Sequence, residues 1–174
     1  RSTVGTTTEI YDFLRLLYAR AGVAYSYATG SKMVKYTDEQ ILELLQRDFA
    51  GRRVLLLAPV VKGRKGHYRE LFENLRKNGF ISARVDGELR EITIGMSVDR
   101  YKMHDIEIVV DKIVMDQADL KRLKNSVGTA MKHGKGVMMV KDYESDVIKY
   151  YSRHLMCPDT GLSYKDPAPH TFSF

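Results

Sequence analysis

The densest chemistry in the chain lies at Val61-Lys62-Gly63-Arg64-Lys65-Gly66-His67, where three cations and two glycines fall between a strand pattern and a helix pattern. Backbone amides of such a loop, backed by a helix N-terminus, can hold an anion. It is not a nucleotide-phosphate loop. That motif needs Gly-x4-Gly-Lys-Ser/Thr, with the lysine reaching the terminal phosphates and the hydroxyl holding magnesium, and no Ser or Thr follows here. With Arg69, Arg76 and Lys77 downstream, two readings stand: a patch meeting phosphates or an acidic protein face, and a merely solvated basic surface.

Other reactive residue types are sparse. His67, His104, His133, His154 and His170 show no i,i+4 pairing and no metal spacing with Cys157, which reads as scattered surface histidines. Cys157 is a nucleophile only if the fold brings a histidine to it; otherwise it is a buried or incidental thiol. The acidic pairs Glu88/Glu91 and Asp111/Asp116 sit in hairpin and strand contexts that explain them as exposed positions, so no catalytic residue is assigned. Lys112 stands out. It shares strand parity with Ile106, Ile108, Val110 and Val114, so an unbroken strand puts it on the apolar face. Either a bulge turns it outward, or its stem snorkels at the sheet edge, or it contacts a partner.

The elements that must position these residues follow from periodicity. Thr6 with Glu9 has capping-box spacing before Ile10, Phe13, Leu14, Leu17 and Ala21, predicting a helix over 6–21 stopped by Gly22. Its apolar stripe invites self-association where no neighbour covers it. Residues 23–36 lose periodicity and read as an irregular connector. Thr37 and Gln40 repeat the capping spacing before Ile41, Leu44, Leu45 and Phe49. The apolar run Val54 to Val61 reads as a buried strand ending in a Gly63/Gly66 loop, followed by a helix with Tyr68, Leu71, Phe72 and Leu75 that Gly79 closes. Phe80–Val85 and Glu88–Ile92 flank Asp86-Gly87, a strong hairpin signal. A strand through Ile106, Ile108 and Val110 leads to a helix capped by Asp116, carrying Leu120, Leu123, Val127 and Met131 and ended by Gly134. Val137–Val140 is a short strand, residues 143–151 read as a weak last helix, and the tail from Met156 has no periodicity. The sum is an α+β fold: a mixed β-sheet with flanking helices and a β-hairpin.

Composition agrees with an ordinary globular domain. Of 174 residues 44% are hydrophobic and 29% charged, and 28 Lys+Arg against 22 Asp+Glu leave a formal charge of +6. No apolar run is long enough to span a membrane and no leader opens the chain, so a cytoplasmic protein without membrane contact is expected. The missing initiator Met points to an excised segment. One cysteine excludes an internal disulfide or an all-cysteine zinc site within the chain.

Particular residues then carry a resemblance. Arg1 to Thr6 running through Glu9 to Arg20, Leu57-Ala58-Pro59-Val60-Val61, Arg64-Lys65-Gly66, Arg84-Val85-Asp86-Gly87-Glu88, Ile108 to Lys112 and Phe172-Ser173-Phe174 closely resemble UvrA, the damage-recognition ATPase of bacterial nucleotide excision repair. The resemblance implies residues 1–30 from the first nucleotide-binding domain, opening with one of its helices; residues 31–155 as an inserted UvrB-binding domain; and residues 156–174 as a return segment toward the ATPase signature region. It implies a protein-interaction role in excinuclease-mediated DNA repair, with no chemistry in this stretch. ATP, magnesium, DNA contact and homodimerisation then belong to the full-length ABC-type ATPase. The alternative is a DNA-backbone-binding module of the same repair protein, although no aromatic platform is evident beside the basic run.

By the same resemblance, Lys112 stands where relatives often have Arg, Asn125 where they often have Asp, and Ser82 at a position basic in many relatives. The implied UvrB contacts are Lys112, Arg84, Ser82 and Asn125, with the basic loop Lys62, Arg64 and Lys65 meeting UvrB or DNA. An Arg-to-Lys change keeps charge and loses the two-point grip on carboxylates. Relatives carry zinc-binding cysteines at the positions of Ser26, Thr29, Cys157 and Thr160. Three of the four are hydroxyls here, poor ligands for zinc, so no metal is expected.

Overall fold

A computed structural model of the chain describes residues 17–20, 23–26, 31–116, 119–157 and 163–164, with side chains for 31–116 and 119–157. Two compact units divide it: one of Arg1–Thr37 with Tyr151–Phe174, and one of Asp38–Tyr150.

In the first unit, β1 (Leu17–Arg20) pairs antiparallel with β2 (Val23–Ser26). This corrects the expected helix over 6–21 at its C-terminal end, and the irregular connector at its start. The backbone groups of Leu17–Arg20 are satisfied across a ladder, Tyr18 facing Tyr25 in register, and aromatic and β-branched residues suit a pleated pair. The rest of that helix lies outside the described residues.

The second unit contributes α1 (Asp38–Asp48), β3 (Arg53–Lys65), α2 (Arg69–Lys77), β4 (Ser82–Val85), β5 (Glu88–Glu91), β6 (Met103–Val114), α3 (Leu120–His133) and β7 (Val137–Asp142); β8 (Ile148–Ser152) follows. These strands form one sheet in the order β5-β4-β6-β3-β7-β8. The last pair, β9 (Leu155–Met156) and β10 (Ser163–Tyr164), is antiparallel, and Val34 bridges to Met156. The class is the α+β one expected, and the sheet pairings with defined register are all antiparallel. Only antiparallel neighbours can be joined by a tight turn, as β4 and β5 are: Asp86 and Gly87 both take positive φ, 50° and 86°, the twist that a two-residue hairpin requires.

Burial explains the layers. β3 is central and buried on both faces through Val54–Ala58, which is why it reads as a continuous apolar run. α3 buries Leu123, Val127, Ala130 and Met131 and packs across β3, β6 and β7, while α1 buries Ile41, Leu42 and Leu45. Each such Leu, Ile, Val or Met side chain contributes about 1.5–3 kcal/mol on burial. Gly134 ends α3 as expected, for a steric reason: a Cβ there would stand 1.9 Å from the Val137 carbonyl oxygen.

Three further expectations change. The Gly63/Gly66 loop is not a loop at Lys62–Lys65, because β3 runs on and pairs Arg64 with His104 and Lys65 with Met103. Asp116 does not cap α3. Asp119 does, accepting from the Lys121 amide at 3.0 Å, and Asp116 instead accepts from the Gly51 amide at 2.7 Å. Residues 148–152 are strand β8, not helix: their β-branched and aromatic side chains pack on a sheet face.

Candidate functional site

Lys112 owes its position to one inserted residue. Leu57 pairs with Val109 and Leu56 with Asp111, so Val110 is an extra residue in β6, a β-bulge. Before it, Ile106 and Ile108 face the helices; after it, the alternation is reversed. Asp111 now turns beneath α3, accepting from Arg122 Nε at 3.1 Å, Arg122 Nη2 at 2.8 Å and Ser126 Oγ at 2.7 Å. Burial opposes ionisation there, yet these bonds outweigh it and hold the Asp111 carboxyl below the usual carboxylate range. Lys112 consequently stands opposite Leu55 on the face away from the helices. The bulge is thus the answer among the three readings of Lys112.

On that helix-free face Leu55, Leu57 and Met139 form a buried aliphatic layer, and the partly buried Val109, Ile148 and Tyr150 pack against it. Tyr143 lies at one end, and two cations share its ring: Lys112 Nζ at 3.8 Å from the centroid and Arg53 Cζ at 4.2 Å. At the other end Arg84 and Glu107 form an ion pair, with Lys62 Nζ 5.9 Å from the Tyr150 ring centroid. Burial pushes the Glu107 carboxyl up despite Arg84, and burial followed by the nearby Glu107 charge raises the Tyr150 phenol.

The candidate contacts therefore separate. Lys112, Arg84, Ser82 and Lys62 fall on the open face, Ser82 sharing strand parity with Arg84. Arg84 is largely committed to Glu107, and its Nε is buried without an acceptor. Asn125 is exposed on α3, across the sheet from the Lys112 side chain. Arg64 and Lys65 are exposed at the far end of the β3/β6 ribbon. Tyr143 escaped sequence reasoning, since a ring's neighbours in space leave no mark in periodicity, whereas the bulge was one of the readings that the parity anomaly of Lys112 offered.

The ribbon end carries a second arrangement. His104 is buried, in contrast to the scattered surface histidines expected; its Nδ1 lies 2.6 Å from Asp86 Oδ2 and its Nε2 2.6 Å from the Asp99 carbonyl oxygen. A carboxylate and a carbonyl both accept, so the ring must donate from both nitrogens as an imidazolium. The bond to Asp86 is the main reason that its pKa is raised.

Asp111 is half-buried and tied to Arg122 instead of free in solvent, and Asp116 is held by Gly51. Glu88 and Glu91 are exposed on β5 as expected. Cys157 is buried. Among the described residues no group of three His, Cys, Asp or Glu is placed to hold a metal. Thr29 and Thr160 lie outside the described residues, and one thiol with three hydroxyls does not fit zinc.

A family model described as the UvrA interaction domain matches residues 36–144. The chain is 42% identical to UvrABC system protein A of Methanothermobacter thermautotrophicus, 39% to that of Clostridium perfringens and 38% to that of Bacillus subtilis. Each alignment covers 100% of this chain and 18% of the relative, so the chain spans about a fifth of the length of these curated relatives.

Proposed function

The chain belongs to the UvrA interaction-domain family, and from that premise we propose that it is the part of a cytoplasmic UvrA protein that recruits UvrB during nucleotide excision repair. The open sheet face is the docking surface, with Lys112 its central charge. The observation that carries this reading is the bulge at Val110, which brings a lysine onto the helix-free face of the sheet, beside an exposed tyrosine and the partly buried Val109, Ile148 and Tyr150. A partly apolar face with cations at its margins suits a partner whose own patch is acidic with an apolar centre. The segment binds and does no chemistry; ATP hydrolysis, DNA contact and dimerisation belong to the longer protein. Residues 31–155 serve as the insert, between residues 1–30 and 156–174 of the ATPase half.

Titration calorimetry of the chain with UvrB tests this. A desolvated charge that loses its partner costs about 2–5 kcal/mol, whereas a rim charge alters mainly the on-rate. Lys112→Glu is expected to weaken binding by roughly thirtyfold or more on that scale, and Lys65→Glu to change it little. Unchanged affinity in a folded Lys112→Glu variant would sink the site assignment.

A further inference from the structure

Resting on the docking role of the sheet face, we infer that Arg53 is a second partner-binding residue, which with Lys112 seats one carboxylate of the partner at the edge of the Tyr143 ring, and that Glu144 competes for that seat. Arg53 shares strand parity with Leu55 and Leu57, so its side chain leaves β3 on the helix-free face, as Lys112 does from β6. The Tyr143 amide donates to the Arg53 carbonyl oxygen at 2.8 Å, which sets the ring beside that strand. Both cations lie against the one ring, Lys112 Nζ at 3.8 Å and Arg53 Cζ at 4.2 Å from its centroid. The faces of an aromatic ring attract cations while its edge is positive, so an anion at the edge is drawn by the ring and by both charges.

The turn that carries the ring is braced. Asp142 Oδ2 accepts from Arg52 Nε at 2.6 Å and Asp142 Oδ1 from the Glu144 amide at 2.9 Å, while Lys141 Nζ donates to the Asp142 and Ser145 carbonyl oxygens at 2.9 and 2.8 Å. These bonds occupy Lys141 and Asp142. Asp111, next to Lys112 in sequence, is tied to Arg122 and Ser126 across the sheet. Among the described residues the one carboxylate within ion-pair distance of either cation is that of Glu144, whose Oε1 lies 3.5 Å from Arg53 Nη2 and whose side chain is 66% exposed. A contact so long and so well solvated stabilises little. Two cations thus share one ring and one loosely held acid, and an acid brought by a partner gains more here than it displaces. Arg53 also supplies the planar two-point grip on a carboxylate that a lysine at position 112 lacks.

Titration calorimetry with UvrB of the parent chain, Arg53→Gln, Arg53→Lys and Glu144→Gln tests the assignment, with circular dichroism to check the fold of each. Arg53→Gln is expected to weaken binding about tenfold or more, the lower end of what close charge pairs across an interface contribute. Arg53→Lys is expected to recover part of that loss, because the charge returns without the fork. Glu144→Gln is expected to tighten binding, by up to about fivefold, since it removes the competing acid of an exposed pair. The sign separates two roles: were Arg53 and Glu144 only a brace for the turn, Glu144→Gln would weaken binding or leave it as it is. Unchanged affinity in a folded Arg53→Gln variant, or affinity not raised in Glu144→Gln, while Lys112→Glu still weakens binding, would overturn this proposal and leave the docking role standing. A parent chain that does not bind UvrB would overturn the docking role and this proposal with it.

Discussion

At the scale of single residues, Tyr143 and His104 act by holding charge in place. A lysine ammonium over an exposed ring is worth about 0.5–1 kcal/mol, and Tyr143 additionally limits where the long Lys112 stem can go. On the proposed function, Tyr143→Ala should weaken UvrB binding roughly three- to fivefold. Tyr143→Phe, which keeps the π-face, should bind like the parent in the same calorimetry, and equal loss in both would point to the hydroxyl. His104 makes a pH-dependent prediction. Its pKa is raised in the folded chain, chiefly by Asp86, so its contribution to stability is complete below the unfolded histidine value and is lost as pH rises through the folded one. The Asp86 pKa is lowered: burial opposes this, but the bonds from His104 and the Asp105 amide prevail, so its contribution is lost as pH falls through the folded value. The His104–Asp86 pair is therefore strongest between those limits. In urea denaturation, parent and His104→Gln should differ most at about pH 5–6 and converge by about pH 9. A constant difference across that range would show that the imidazolium contributes nothing.

At the scale of elements, starts and bulges decide which way side chains point. Both Asp116 and Asp119 precede the apolar stripe of α3, and composition does not choose between them. The choice is made by Gly51, whose amide takes the Asp116 carboxylate and leaves Asp119 to accept from Lys121. Asp119→Ala should cost about 1 kcal/mol, and Asp119→Ser should recover most of it, since a hydroxyl also caps. Thermal melting followed by circular dichroism measures both, and an Asp119→Ala melt equal to that of the parent would contradict the cap. The Val110 bulge has a larger reach. It moves Asp111 beneath α3 and Lys112 to the opposite face at the cost of one irregular pair, without which Lys112 would point at Leu123, Val127 and Met131.

At the scale of the whole molecule, the recognition chemistry proposed above lies on the helix-free sheet face that carries Lys112. Among the described residues no group of three metal donors is assembled, Cys157 is the one thiol in the sequence, and Lys62–Lys65 continue a strand instead of wrapping a phosphate. The purified chain is expected to carry no stoichiometric zinc by elemental analysis and to give no heat with magnesium-ATP in calorimetry. About one zinc per chain, or saturable nucleotide binding at micromolar concentrations, would refute the respective expectation.

What the sequence determined by itself is what local patterns encode. The buried central strand, the Asp86-Gly87 hairpin, the apolar stripes of α1, α2 and α3, the Gly134 stop and the α+β class all follow from period and turn chemistry, because each depends on residues within a few positions of one another. The resemblance to UvrA was legible for the same reason, being carried by short runs of residues. Tertiary structure alone decided the rest. Pairing with β6 made Lys62–Lys65 a strand, a place beside β7 made residues 148–152 an edge strand, and pairing with Val23–Ser26 made Leu17–Arg20 extended. Lys112 was recognisable as anomalous from parity, but only the register between β3 and β6 showed that a bulge resolves it. The contacts of His104 and Tyr143 were invisible beforehand, since each joins segments distant in sequence whose approach is set by packing and backbone pairing, and no spacing in a linear chain records such a contact.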